Sequence, residues 1–225
     1  MKLAIQVPIK GKSSTRVHNK NFRDLNGKPL CFWVLDELNK LPLEIDIFID
    51  SEDEKIFNKI PKSRFSRFKF HKREHWFASD QANGNHLIHQ FALHHPDYDS
   101  YAQVFITAVT LKFEIISEAL KTFAENSSSH DSLFLATEET GWIWFKDSPL
   151  NYDPHRPHGL PRSQDATYLK ETTGLYAIKR DAVLLTGCRI GNNPKPFKIG
   201  TEYALDVDTM SDFLEAEKLL INQNK

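Results

Sequence analysis

Two aspartates near the end of the chain have the spacing of a divalent-cation site. Asp206 and Asp208 flank Val207 in an apolar run that begins at Ala204. In an extended strand, side chains two positions apart point to the same side, so the two carboxylates would converge. Pairs of carboxylates hold Mg²⁺ against the phosphates of a nucleotide. The spacing therefore predicts a Mg²⁺ site at Asp206 and Asp208.

A second group of reactive side chains lies in a long segment near the amino end, residues 8–30. Gly11 and three hydroxyl residues occur there among six cations. The cations are Lys10, Lys12, Arg16, Lys20, Arg23 and Lys28. A loop that follows the first strand is a usual ligand site in α/β sheets, and cations beside exposed amides suit a polyphosphate. A solvated basic loop explains the same composition equally well.

Alternating strand and helix patterns indicate how these residues are positioned. Strand patterns lie at residues 3–7, 45–49, 102–107 and 131–137, and helix patterns at 30–41, 85–95 and 113–123. This alternation predicts an α/β fold with a Rossmann-like, mainly parallel sheet and helices on both faces. Residues 139–173 interrupt the alternation and are rich in Trp, Tyr and Pro, which is typical of a functional or partner-binding segment.

The bulk properties narrow the possible classes of protein. A length of 225 residues fits one domain, which we expect to span residues 1–225. The net charge of −1 provides no basic field for nucleic acid. No apolar run has the roughly 18 residues of a membrane helix, and the start of the chain does not resemble a signal peptide. Cys31 and Cys188 form no disulfide framework, so we expect a cytoplasmic protein.

Two other polar groups have ordinary structural explanations. Residues 52–54 are acidic and precede a short helix pattern, which is typical of an N-cap followed by favourable first-turn acids. The pairs His71/His75 and His86/His89 have spacings that could hold a metal, but no Cys, Asp or Glu completes a zinc set. We therefore expect surface histidines.

Three blocks of the sequence resemble the acylneuraminate cytidylyltransferases, which make CMP-activated acid sugars. Residues 8–30 are similar to the family patterns P-A-R-G-G-S-K-R-I-P-x-K-N-I and L-x-G-K-P-L. Residues 162–176 are similar to R-x-Q-D-x-x-x-x-Y-x-E-T-x-G-x-Y, and residues 187–217 to G-x-R-I-G and A-I-D-I-D-T-x-x-D-F-x-x-A-E. Ser14-Thr15-Arg16 is also similar to the related 3-deoxy-manno-octulosonate cytidylyltransferases.

The resemblance implies a fold, a reaction and partners. The expected fold is a single nucleotidyltransferase domain in which residues 139–173 form a projecting arm that builds a homodimer. The expected reaction joins CTP to a nine- or eight-carbon 2-keto-3-deoxy acid sugar and releases pyrophosphate. Mg²⁺ is the expected cofactor, and neither nucleic acid nor a membrane is an expected partner.

The resemblance also implies roles for individual residues. Lys20 and Asp208 are expected in catalysis, and Asp206 and Asp208 are expected to hold the metal. Those implied for the nucleotide are Lys10, Gly11, Ser13, Arg16, Lys20, Asn21, Asp80 and Thr107. Those implied for the acid sugar are Arg162, Gln164, Tyr176 and Arg189. Arg162 suits this role because a guanidinium can bond both oxygens of a carboxylate at once.

Two segments depart from the family pattern. Lys10 replaces an arginine and lacks its two-pronged hydrogen bonding. Residues 105–112 match the family strand end clearly only at Thr107. A relative that binds nucleotide or sugar without catalysis therefore stays open, as does an enzyme with another base or acid sugar. The intact Asp206 and Asp208 argue against a loss of catalysis.

Overall fold

A computed structural model describes residues 1–11, 17–155 and 160–223, and these residues form strands β1–β11 and helices α1–α6. The strands are β1 (Leu3–Pro8), β2 (Asp24–Leu25), β3 (Lys28–Pro29), β4 (Asp46–Ser51), β5 (Phe68–Lys72), β6 (Ser100–Val104), β7 (Ser132–Thr140), β8 (Trp144–Phe145), β9 (Ser148–Pro149), β10 (Thr167–Lys179) and β11 (Pro194–Ile199). The helices are α1 (Leu30–Asn39), α2 (Glu54–Asn58), α3 (Gly84–His94), α4 (Phe113–Glu125), α5 (Arg180–Thr186) and α6 (Met210–Gln223). Within these ranges no helix combines the length and the apolar character that a membrane crossing requires.

Seven strands form the central sheet in the order β11-β7-β10-β6-β1-β4-β5. β1 pairs in parallel with β4 and β6, β4 with β5, and β11 with β7, whereas β10 is antiparallel to both of its neighbours. The predicted mainly parallel α/β sheet is therefore confirmed. Because β4, β1 and β6 run in the same direction, the segments that follow them meet at one edge, where such sheets bind ligands.

The two faces of the sheet are covered by different helices, as predicted. Successive side chains of a strand point to opposite faces, so Ile5 packs in a cluster with α1 and α4, while Ala4 packs in a cluster with α3 and α5. β1 is buried on both faces, which is typical of a strand within a parallel sheet. The rigid core thus fixes the point from which residues 8–30 leave the sheet.

The last helix, α6, packs against the segment that runs from Val17 to Trp33. Phe213, Ala216 and Leu220 pack in a separate cluster with Leu25, Trp33 and Val207. The helix begins with Thr209 and Asp212 in reciprocal hydrogen bonds, and Asp212 lies in its first turn. This packing brings residues 204–209 against the amino-terminal loop.

The segment predicted as an arm, residues 139–173, extends from β7 to β10. Thr140 of β7 pairs with Thr167 of β10, and the short β8–β9 hairpin lies between these strands. Large apolar side chains are exposed along it, at Trp142, Trp144, Phe145, Leu150, Leu160 and Leu169. The ends of the segment therefore belong to the central sheet, and its role in a dimer stays a prediction.

One histidine predicted at the surface is buried. His71 lies in β5, where its Nε2 is 3.2 Å from Gln90 Oε1 and its Nδ1 is 2.9 Å from His95 Nε2. Its ring also packs against Phe91. Burial is the main reason that the pKa of His71 falls to about 4, and Gln90 partly offsets it.

Candidate active site

The two residues predicted to act in catalysis contact each other. Lys20 lies in a 3-10 turn, Lys20–Phe22, directly after Asn19, whose backbone is in the left-handed region at φ 51°. The Lys20 ammonium donates to the carbonyl oxygen of Val207 at 2.8 Å and to Asp208 Oδ1 at 3.1 Å. The Lys20 side chain is 10% exposed and that of Asp208 45%. A nearly buried cation thus meets a carboxylate that faces solvent.

The segment that carries Asp206 and Asp208 is not the strand that the sequence suggested. Residues 204–208 have no strand partner among the described residues. A backbone hydrogen bond, from the Val207 N–H to the Thr107 carbonyl oxygen at 3.0 Å, joins the segment to the residues that follow β6. Thr107 is thereby placed next to the two aspartates. Within the described part of the chain the segment has no strand hydrogen bonds to hold it, and the packing of Val207 against α6 stabilises it instead.

Asp206 has an environment that fits a cation. Its Oδ2 accepts a hydrogen bond from Thr173 Oγ1 at 2.6 Å. Its Oδ1 is buried and has no hydrogen-bond partner among the residues that the structure describes. A buried acceptor without a donor is costly, and a bound cation would satisfy it. The environment of the Asp206 carboxylate therefore fits Mg²⁺, and Asp208 follows two positions later in the chain.

The protein supplies few ligands for such an ion. No group of three or more His, Cys, Asp or Glu side chains in the described ranges is arranged to hold a metal. Mg²⁺ in nucleotide sites usually takes one or two carboxylates and completes its shell with water and substrate phosphates. A site with two aspartates thus agrees with this chemistry and depends on the nucleotide.

Three residues predicted to bind the nucleotide meet just beyond β1. Lys10 Nζ lies 3.2 Å from Asp80 Oδ1, and the Asp80 side chain is fully open to solvent. Asn21 donates from its side chain to the Lys10 carbonyl oxygen at 3.0 Å. Since Asn21 follows Lys20, this bond joins the start of the loop to the Lys20–Asp208 pair. Ser13 and Arg16 lie outside the described residues.

Glu52 has a role that the sequence did not indicate. The helix α2 begins at Glu54 with Asp53 as its N-cap, which confirms the predicted cap, but Glu52 lies outside the helix. The Glu52 carboxylate accepts hydrogen bonds from the Gly11 N–H at 2.7 Å and from the Arg73 guanidinium at 3.0 Å. The acidic run at residues 52–54 indicated a helix cap, but it gave no sign that Glu52 binds Gly11 and Arg73, which are distant in the sequence.

Tyr176 and Arg189, both predicted to bind the acid sugar, also lie together. The Arg189 guanidinium stacks 3.8 Å from the centre of the Tyr176 ring. Glu171 Oε1 accepts hydrogen bonds from the Tyr176 hydroxyl and, at 3.4 Å, from Arg189 Nη2. Burial, followed by the bond to Glu171, raises the pKa of Tyr176 above its usual range. The Arg189 side chain also approaches the backbone at Gly84, where a Cβ would lie 2.6 Å from Arg189 Nη1.

Arg162 and Gln164 lie apart from this site within one chain. Arg162 binds Asp165 through two hydrogen bonds of 2.6 and 3.1 Å, and its side chain is 73% exposed. Gln164 is exposed in the adjacent 3-10 turn. At about 3.3 Å per residue, β10 carries the chain roughly 20 Å between Thr167 and Thr173, the partner of Asp206. The structure therefore does not bring these two residues to Asp206.

A cavity of about 420 Å³ opens beside Asp206, between β7, β10 and α6. Its walls include Thr137, Lys170, Thr173 and Glu215. Hydroxyl and charged groups predominate among these side chains. Space for a polar molecule thus adjoins the aspartate carboxylate.

The chain is similar to known cytidylyltransferases along most of its length. A family model described as Cytidylyltransferase matches residues 12–225. The pseudaminic acid cytidylyltransferase of Campylobacter jejuni is 27% identical over 100% of this chain and 98% of its own length. The N-acylneuraminate cytidylyltransferase A of Danio rerio is 23% identical over 90% of this chain, which spans 47% of that protein.

Solved structures share the fold. The structure of CMP:2-keto-3-deoxy-manno-octonic acid synthetase complexed with CTP superposes with a TM-score of 0.71 at 15% identity, covering 99% of this chain and 100% of the other. The 4-diphosphocytidyl-2C-methyl-D-erythritol synthase of Anaerococcus prevotii superposes with a TM-score of 0.70 at 10% identity, covering 97% and 96%. At these identities the likeness concerns the fold alone.

Proposed function

Because the chain belongs to the cytidylyltransferase family, we propose that it transfers the CMP group of CTP to an acid sugar. The proposed acceptor is a nine- or eight-carbon 2-keto-3-deoxy acid, since relatives that match 90% or more of the chain are named for pseudaminic acid and N-acylneuraminate. The observation that carries the proposal is the contact of the Lys20 ammonium with Asp208, in the segment that Val207 joins to Thr107 beyond β6.

In the proposed reaction, the anomeric hydroxyl oxygen of the sugar attacks the α-phosphorus of CTP. The bond from this phosphorus to the bridging oxygen breaks, pyrophosphate leaves, and the hydroxyl proton passes to solvent. Lys10, Arg16 and Lys20 would bind the triphosphate and neutralise the departing charge. Such transfers depend mainly on positioning and charge stabilisation, so no protein nucleophile is required.

We propose that Asp206 and Asp208 hold Mg²⁺ in this reaction. When bound, the ion would supply positive charge at the α-phosphoryl group. The buried Oδ1 of Asp206, which has no hydrogen-bond partner among the described residues, supports the assignment. Asp208 would serve both the ion and Lys20, which makes its carboxylate the most sensitive group of the site.

For the acid sugar, we propose that Tyr176 and Arg189 contribute from the same chain and Arg162 and Gln164 from a second protomer. The separation of Arg162 from Asp206 along β10 and the exposed apolar side chains of residues 139–173 support a homodimer. In this arrangement residues 1–225 form one nucleotidyltransferase domain whose arm completes the site of its partner. Arg162 would exchange Asp165 for the sugar carboxylate.

The direct test is pyrophosphate release from CTP and Mg²⁺ with a panel of acid sugars, including pseudaminic, N-acetylneuraminic, legionaminic and octulosonic acids. Each other nucleoside triphosphate serves as a control for the base. Release with CTP and one sugar supports the proposal and identifies the acceptor. Release with another nucleotide would contradict the base assignment. If folded protein binds CTP but releases no pyrophosphate with any sugar, a binding protein without catalysis would be favoured.

A further inference from the structure

The Glu52 carboxylate joins the beginning of the basic loop to the arginine that follows β5. Its Oε1 accepts the Gly11 N–H at 2.7 Å, while its Oε2 accepts Arg73 Nη2 at 3.0 Å and Arg73 Nε at 3.3 Å. Glu52 is 7% exposed and Arg73 3% exposed. Each carboxylate oxygen thus has its own donor, and the bridge lies almost out of water.

The backbone at Gly11 lies very close to this bridge. A Cβ at Gly11 would be 2.8 Å from Asp53 Cβ and 3.0 Å from Glu52 Oε1. Two residues before Gly11, the Ile9 N–H donates to the carbonyl oxygen of Asp50, which lies two residues before Glu52. The chain that leaves β1 therefore runs along the end of β4, and Glu52 is the side chain that binds it there.

Arg73 is itself held firmly, so it can anchor the bridge. Its backbone N–H donates to the Ser51 carbonyl oxygen at 3.1 Å, and its Nη1 lies 3.7 Å from Asp50 Oδ2. Gln6, from the middle of β1, donates to the same Asp50 oxygen. Separating a buried charge pair leaves both charges uncompensated, so the two side chains are strongly held in contact. Glu52 thus has one strongly preferred position.

The Glu52 bridge is connected to Lys20 through two residues, Lys10 and Asn21. Lys10 precedes Gly11, and its carbonyl oxygen accepts the Asn21 side chain at 3.0 Å. Asn21 is the neighbour of Lys20, whose ammonium binds Asp208. Both ends of the loop are therefore connected to the point that Glu52 holds.

We propose that Glu52 is a positioning residue for the nucleotide. Its carboxylate holds Gly11, and through it Lys10 and Lys20, in place before CTP binds, a role that rests on the proposed function. Ordering a loop at the moment of binding weakens affinity, whereas a loop that is already ordered avoids this cost. Loss of Glu52 should therefore weaken CTP binding much more than it slows the chemical step.

The experiment compares Glu52→Ala and Glu52→Gln with the unchanged protein and with Glu54→Ala. Loss of a hydrogen bond to a charged group predicts that Glu52→Ala raises the CTP Kd and KM by about tenfold or more, with kcat nearly unchanged. Glu52→Gln keeps an acceptor for the Gly11 N–H, so it should restore part of the affinity. Glu54→Ala removes a nearby exposed carboxylate and should leave both constants unchanged.

A second measurement does not depend on nucleotide. Hydrogen–deuterium exchange of peptides covering residues 9–21, without CTP, should become faster in both Glu52 variants and not in Glu54→Ala. Unchanged exchange would overturn the proposal even if the protein used another substrate. Lower thermal stability with an unchanged CTP KM would also overturn it, because Glu52 would then only stabilise the fold. A lower KM would do the same, since Glu52 would then compete with the nucleotide.

Discussion

Lys20 Nζ lies 3.1 Å from Asp208 Oδ1, although 188 positions separate the two residues in the sequence. The same ammonium donates to the Val207 carbonyl oxygen, and Val207 is buried in the cluster that α6 forms with Leu25 and Trp33. The contact therefore depends on the packing of the last helix against the amino-terminal loop. Two predictions concern this pair, a third concerns Arg162, and a fourth concerns the buried His71.

Asp208→Asn should reduce turnover by at least about a hundredfold, because it removes a charge proposed to bind both Mg²⁺ and Lys20. Pyrophosphate release measured over a range of Mg²⁺ concentrations tests this. Glu118→Gln, which neutralises an exposed carboxylate on α4, is the matched control and should retain full activity. Near-normal, Mg²⁺-dependent turnover in Asp208→Asn would exclude the metal assignment.

Lys20→Met should bind Mn²⁺ more tightly than the unchanged protein when no nucleotide is present. The Lys20 ammonium neutralises Asp208, so its removal leaves a carboxylate with greater affinity for a cation. Titration followed by electron paramagnetic resonance measures the free ion. Lys10→Met removes an equal charge that is paired with Asp80 instead, and it should change Mn²⁺ affinity less. Equal Mn²⁺ affinity in Lys20→Met and the unchanged protein would show that Lys20 does not compete with the cation for Asp208.

Arg162→Ala and Asp208→Asn should each be nearly inactive alone and should recover activity when mixed subunits reassociate. At equal amounts, half of the dimers carry one variant of each kind, and each such dimer has one intact site, so about a quarter of normal activity is expected. Light scattering establishes the dimer independently. Absence of recovery in confirmed mixed dimers would mean that Arg162 acts within its own subunit.

The stability of the fold should decrease as pH falls from about 6.5 towards 4, in part through His71. The pKa of His71 is lowered to about 4 by burial, so the unfolded chain takes up a proton in this range and the folded chain does not. Stability from this group is thus complete above the unfolded pKa and is lost as pH falls. Urea unfolding at several pH values should show a weaker dependence in His71→Gln.

Other buried groups have to be separated from this effect. Burial also lowers the pKa of His95, which acts in the same direction. Burial raises the pKa of Asp50 to about 6 despite Arg73, so Asp50 contributes stability at low pH that is lost as pH rises through about 6. The difference between His71→Gln and the unchanged protein isolates the histidine. An identical pH dependence in the two proteins would contradict the prediction.

Strands, helices and the family were accessible from the sequence because they depend on neighbouring residues. The apolar run of β1, the helical spacing of α4 and the cap at Asp53 each involve residues a few positions apart. Motifs such as the one that contains Asp206 and Asp208 are equally local. The candidate metal pair, Lys20 and Thr107 could therefore be selected before any geometry was known.

Contacts between distant segments were decided only by the tertiary structure. Residues 204–208 do not form the strand that their pattern suggested, because Val207 packs under α6 and binds Thr107 instead. Glu52 resembles a helix cap in sequence, yet it binds Gly11 and Arg73 because β1, β4 and β5 end side by side. Arg162 precedes β10, and the first six residues of this strand separate it from Thr173, the partner of Asp206. The sequence by itself thus determined the elements and the chemical groups, whereas long-range packing determined which groups meet.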